Sequence, residues 1–270
     1  MELEKIEPFV RKRLLDLNTG EPFLAEGALL FMDISGFTEL SEKLGQLGKP
    51  GTEELSSILN KFFGSMLNIT GDLGGNVLKF GGDALLVGFY EHAGVAKKRA
   101  VQCARLLMDR IKEFYTIDTI AGESSISMKI AISSGKWNEI LLGDDRRREL
   151  LLTGKVIKEL TRMEEAARPG EVWVNGEKIQ IEEISGLSKS LGKNHKHQRK
   201  IDGGLLPQGV MKFIKSGMKG EYRVVTTIFV NFSGYSEEDP DTELLQEFFI
   251  GVVDIVDRYG GSINKIDIYT

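Results

Sequence analysis

The sequence predicts an α+β fold: a sheet built partly from hairpins, with amphipathic helices packed on it. Three observations predict it. Short apolar runs bounded by glycine, at 28–33, 77–80 and 84–89, read as buried strands. Apolar residues spaced three and four apart, at 55–67 and 93–115, read as helices. Only Gly81, Gly82 and Asp83 separate two of the strands, so they form a tight hairpin, and the sheet is not fully parallel.

The elements follow in order. Residues 2–17 alternate apolar and charged positions at helical spacing and predict a short amphipathic helix. Ala28 to Met32 is a strand ending at Asp33, and Ser35-Gly36 opens a helix that a Gly/Pro break at Gly48–Gly51 separates from the next. Leu55, Ile58, Leu59, Phe62, Phe63, Met66 and Leu67 line the apolar face of that second helix, which breaks at Gly71–Gly75. After the hairpin and the 93–115 helix come strands at Ser127–Ser133 and Glu149–Thr153. A helix over Gly154–Ala167, ended by Pro169-Gly170, and a strand at Glu171–Val174 complete this part.

Composition narrows the function. The chain has 270 residues, 41% hydrophobic and 28% charged, which is a globular profile with enough length for a core. Its single cysteine, Cys103, excludes an intramolecular disulfide framework and a cysteine-rich zinc site. A net charge of -5 argues against a nucleic-acid partner. No apolar run approaches the roughly 20 residues of a membrane span, and the charged start lacks a signal-peptide core, so a cytoplasmic location is expected. Other features read as ordinary: Cys103 and the two tryptophans as packing, His92 as a loop-to-helix junction, and Arg146–Arg148 as cover for a turn. The basic stretch GKNHKHQRK reads as a solvated loop.

An internal repeat appears near residue 221. Tyr222–Val230 followed by Asn231-Phe232-Ser233-Gly234-Tyr235 parallels the strand at 28–33 and Asp33-Ile34-Ser35-Gly36-Phe37. A helix follows, with Leu244, Leu245, Phe248, Phe249, Val252, Val253 and Val256 on its apolar face. Gly260–Lys265 then matches Gly74–Lys79. The expected organisation is an N-terminal helix (1–19), a first domain (20–180), a linker (181–220) and an incomplete second copy (221–270), the chain being the front of a longer one.

Asp33 ends one buried strand and Asp83 sits in the glycine hairpin between two others. If these strands are neighbours, both carboxylates reach one sheet edge and form a hard-cation site. Ser35-Gly36 leaves amides bare at a helix start, a phosphate cradle. Gly81 and Gly82 let a ligand approach the backbone. Together these point to a metal-assisted nucleotide site, against the plainer reading of a helix cap and a turn residue.

FMDISGFTELSEKL (31–44) and NVLKFGGDALLVGF (76–89) resemble the metal-binding segments of class III nucleotidyl cyclases. The resemblance continues through KIAISSG (129–135) and 150–174. The likeness is strongest to the soluble, bicarbonate-responsive adenylyl cyclases, whose two unequal cyclase domains precede a long further region. It implies the ferredoxin-like βαβ cyclase catalytic fold, followed by the start of a second copy. It implies conversion of ATP to 3′,5′-cyclic AMP and pyrophosphate with two Mg²⁺ ions, for which Mn²⁺ can substitute, held by Asp33, Asp83 and the carbonyl of Ile34. Phe37 and Thr38 fall where the family holds phosphates.

In the family the site lies between two cyclase domains, so the implied partner is a second domain in the same longer chain or in a dimer. Asn231 stands where the first copy has Asp33, so the second copy is not an equal metal half. Lys265 falls at the family's adenine-reading lysine and favours ATP over GTP. In the first copy Lys158 replaces the family's ribose-orienting asparagine, while Arg162 falls at its transition-state arginine. Lys79 matches a lysine that helps hold bicarbonate in the responsive relatives; their partner arginine falls at Thr161, with Arg162 one step along. Bicarbonate is therefore an expected activator, against a reading of Lys79 as a plain counter-charge. Three other readings stand beside this one: a guanylyl cyclase, a degenerate cyclase domain used for dimerisation or sensing, and a diguanylate cyclase. The last is disfavoured because Ala84 and Leu85 replace the Glu and Phe of its motif.

Overall fold

The computed structural model describes residues 12–180, 203–206, 226–234, 236 and 240–267. Most of the expected 2–17 helix, the GKNHKHQRK stretch and residues 222–225 lie outside them. The chain divides into two compact units. The sheet unit holds residues 25–137 and, from 155, the described residues through 180. The hairpin unit holds 12–24, 138–154 and the described residues from 203 to 267.

The strands are β1 (Pro22–Ser35), β2 (Asn76–Gly81), β3 (Ala84–Phe89), β4 (Ile117–Thr119), β5 (Gly122–Ser124), β6 (Ser127–Gly143), β7 (Arg148–Thr153), β8 (Val172–Val174) and β9 (Glu177–Ile179). The helices are α1 (Phe37–Gly45), α2 (Lys49–Asp72), α3 (Ala93–Ile111), α4 (Lys155–Ala166) and α5 (Thr242–Arg258). In the sheet unit the order is β2-β3-β1-β6-β8-β9. β3 runs antiparallel to both β1 and β2. β1 and β2 therefore run the same way, joined by the α1–α2 crossover, which is the expected βαβ arrangement. β8 pairs parallel to β6 and antiparallel to β9.

The core explains why β1 reads as an unbroken apolar run. Ala28, Leu30, Met32 and Ile34 join one cluster, yet Leu29 is equally buried, so both faces of the strand are covered. Leu55, Phe62 and Met66 of α2 and Ala100, Cys103 and Leu107 of α3 join the same cluster. Phe62 packs edge-on to Phe63 and Phe114, with ring centroids 5.2 and 5.1 Å away. Burying such a side chain is worth about 1.5–3 kcal/mol. Cys103 is fully buried beside the Thr70 hydroxyl, and burial pushes its thiol up to about 12. Trp137 is buried against Tyr90, as expected of a packing residue.

Three short strands escaped sequence reading: β4, β5 and β9 have three residues each, too few to display a period. β9 is tied to β8 through Glu171. Lys178, the Trp173 indole and the Arg168 amide all donate to its carboxylate and hold it down to about 2. A lowered carboxylate stabilises the fold above its ordinary value of 4.5 and loses that contribution as pH falls toward 2. Glu171→Gln is expected to lower Tm at pH 7. In melts recorded down a pH series, its difference from the parent should shrink below about pH 4.5.

In the hairpin unit, β7 pairs antiparallel with residues 138–143 of β6. Ile140, Leu142 and Leu151 of this hairpin pack against Leu245, Phe249 and Val253 of α5 and against Ile266. Asp241 caps α5, its side chain accepting from the Leu244 amide at 3.0 Å. Gln246 closes a two-bond clamp on Gly143, donating to its carbonyl at 2.7 Å and accepting from its amide at 2.9 Å. Arg146–Arg148 do more than cover a turn. Arg146 pairs with Asp144 and Asp254, and Arg147 is buried, donating to Glu149 and to the carbonyls of Arg148, Ile263 and Asn264.

The strand expected up to Val230 does not form over 226–230, nor does a strand form over 261–267. Among the described residues neither segment has a ladder partner; in 261–267 the Ile263 and Asn264 carbonyls are met by Arg147 instead. Ile228 and Phe229 are exposed.

Candidate active site

Asp33 and Asp83 come together through strand register. Asp33 pairs across the ladder with Ala84, the residue directly after Asp83. The β2–β3 turn is Gly82-Asp83, with Gly82 at φ 74°, a left-handed conformation that suits glycine. Both aspartates are half-buried at the same end of neighbouring strands.

Two residues absent from the sequence-based site complete the constellation. Lys129 of β6 lies between the buried Met128 and Ile130 and brings its ammonium 3.4 Å from Asp33 Oδ2. Glu164, in the last turn of α4, receives that ammonium on Oε1 at 2.8 Å and on its backbone carbonyl at 2.9 Å. Burial pushes the Asp33 carboxyl up; Lys129 draws it down, and the charges of Glu164 and Asp83 push it up again, leaving it raised. Burial alone would lower Lys129, but its bonds to Glu164 and then to Asp33 outweigh this and leave it raised. The signal available in the sequence was a lone lysine inside the apolar KIAIS run. Nothing in the Glu164-Glu165 pair distinguishes the residue that faces it.

β1 extends past Asp33 through the buried Ile34 to Ser35, and Gly36 then turns the chain into α1. Gly36 has φ 92°, and a Cβ there would lie 2.3 Å from the Ser125 carbonyl oxygen. α1 opens without a side-chain cap, so the amides of its first turn, Phe37 and Thr38 among them, lack intrahelical acceptors. Phe37 packs on the core and Thr38 is exposed. Gly36→Ala is expected to cost at least about 2 kcal/mol, from positive φ plus backbone overlap. Chemical denaturation checks this.

Lys79 lies at a register shift in β2, the first strand of the sheet order, and is half-buried. Arg162 is exposed on α4. Lys158 is half-buried on the same helix. Lys265 belongs to the hairpin unit and pairs with Asp267 at 2.9 Å.

The donor set suits a hard cation. Among the described residues no group of three or more His, Cys, Asp or Glu side chains is placed to hold a metal. Two carboxylates at the same end of neighbouring strands fit Mg²⁺, which takes one or two carboxylates and completes its shell with water and phosphate. Among the described residues no helix is long and apolar enough to cross a membrane.

Comparison with known proteins identifies the family. Adenylate cyclase type 10 of Oryctolagus cuniculus is 29% identical over 149 residues, covering 54% of this chain and 9% of that protein. The Homo sapiens protein of the same name is 28% identical over 149 residues, with the same coverage. The match thus spans under a tenth of those relatives' length. Among solved structures, the adenylyl cyclase CyaB from P. aeruginosa aligns at 23% identity and TM-score 0.47, covering 57% of this chain and 78% of that one. The family model described as the adenylate and guanylate cyclase catalytic domain matches residues 24–213, more than half of the sequence, and the chain belongs to that family.

Proposed function

We propose that this chain is the metal-binding part of an adenylyl cyclase that converts ATP to 3′,5′-cyclic AMP and pyrophosphate. The observation that carries the reading is the register of β1 on β3, which sets Asp33 opposite Ala84 and beside Asp83. Asp33, Asp83 and the Ile34 carbonyl would hold two Mg²⁺ or Mn²⁺ ions. Bound there, the ions would supply charge neutralisation on the triphosphate and a lowered pKa for the ribose 3′-hydroxyl. The uncapped amides of Phe37 and Thr38 would receive phosphate oxygens. Lys129 supplies the positive charge that a polyphosphate meets on arrival.

Lys265 reads the purine in this account, and the second cyclase domain opening near 221 completes the site after the 181–220 linker. The protein works in the cytoplasm, and bicarbonate acts through Lys79 and Arg162. A bicarbonate titration of activity that came out flat would remove that last element. The test of the whole is cyclic nucleotide formation from ATP and from GTP, with Mg²⁺ or Mn²⁺, by this chain and by one carrying a complete second domain. Cyclic AMP that disappears with chelator is the expected result. Cyclic GMP instead would reassign the purine. No product from either chain would favour a regulatory, non-catalytic domain.

A further inference from the structure

Lys129 has three N–H donors and three oxygens around it, and two of those oxygens belong to Glu164. The contacts to Glu164 are 2.8 and 2.9 Å, within the range of charge-assisted hydrogen bonds, whereas Asp33 Oδ2 lies at 3.4 Å. The ammonium therefore leans toward the helix and away from the strand. Its seat is also favourable for a cation: the Glu164 carbonyl lies in the last turn of α4, at the negative end of the helix. The three side chains are only 16–25% exposed, so water screens these charges weakly.

From this geometry we infer that Glu164 is a positioning residue: it draws Lys129 toward itself, keeps the Lys129–Asp33 pair long, and so leaves that carboxylate more open to a divalent cation. The inference rests on the reading of Asp33 as a cation ligand. Without the Glu164 carboxylate, the lysine's strongest remaining acceptor charge is Asp33. Closing the present 3.4 Å ammonium–carboxylate pair to full hydrogen-bond length would make it compete more strongly with the cation for the same oxygens. Lys129 is thus kept close enough to serve an incoming anion while competing only weakly for the metal's carboxylate.

The test is Mn²⁺ binding to the 270-residue chain, read from the electron paramagnetic resonance signal of free Mn²⁺ and independent of turnover. Glu164→Gln is expected to weaken binding about tenfold, and Lys129→Met to tighten it severalfold, as coupled charges do. The double variant should bind like Lys129→Met, because there is then no lysine to restrain. If the double variant stays about tenfold weaker than Lys129→Met, Glu164 acts on the ion directly and the positioning role is overturned. An unchanged Glu164→Gln overturns it as well. Should Glu164→Gln fail to fold, Glu164→Asp takes its place: weaker Mn²⁺ binding with Lys129 present and unchanged binding in the Lys129→Met background support the inference, and equal weakening in both overturns it. Parent protein whose Mn²⁺ binding is absent, or indifferent to Asp33→Asn, overturns the cation reading itself, and the inference falls with it.

Discussion

Replacing Asp83 by alanine is expected to reduce cyclic nucleotide formation on the order of a thousandfold, the several kcal/mol that metal-ion stabilisation supplies. Its effect on stability should stay within about 0.5 kcal/mol, since it sits in a two-residue turn with no core role. Asp33→Asn should remove activity as thoroughly and differ in stability. The folded protein holds the Asp33 carboxyl above its ordinary value, chiefly by burial. A raised carboxylate favours folding fully only below its unfolded pKa and loses that contribution as pH rises through its folded one. At pH 7 the neutral amide is therefore expected to raise Tm, a function-for-stability exchange common at active sites. Product assays paired with thermal melts of both variants check this. Loss of activity with loss of fold would instead assign the aspartates a structural role.

The second large effect is expected in the stability of the hairpin unit. Arg147 and Glu149 have side chains 7% and 3% exposed and form an ion pair. The guanidinium also donates to the carbonyls of Arg148, Ile263 and Asn264. Arg147→Met would take the guanidinium from the buried Glu149 carboxylate and leave those carbonyls without this donor, and is expected to cost about 3–5 kcal/mol. Adding Glu149→Leu should recover much of the loss, because a matched apolar pair requires no desolvated charge. Urea unfolding of the single and double variants measures both. Equal losses would mean that the carbonyl contacts, not the ion pair, carry the energy.

The parts legible in the sequence were those with strong local signals. β3 spans 84–89 as expected, because glycine and aspartate bracket an unbroken apolar run. The β2–β3 turn placed Asp83 correctly for the same reason. Lys129 and Glu164 were not found, since they are 35 positions apart and meet only once α4 packs against the sheet. The same limit explains the failed strand at 226–230. Its composition matches β1, but strand formation depends on a pairing edge that composition does not supply.

Cys103 offers a practical handle. It is the chain's only cysteine, is closed off from water and is almost wholly protonated at neutral pH. A thiol-reactive dye can reach it only when the α2–α3 core opens. The wild-type sequence therefore carries a built-in reporter, and its labelling rate would follow core breathing without any engineered substitution.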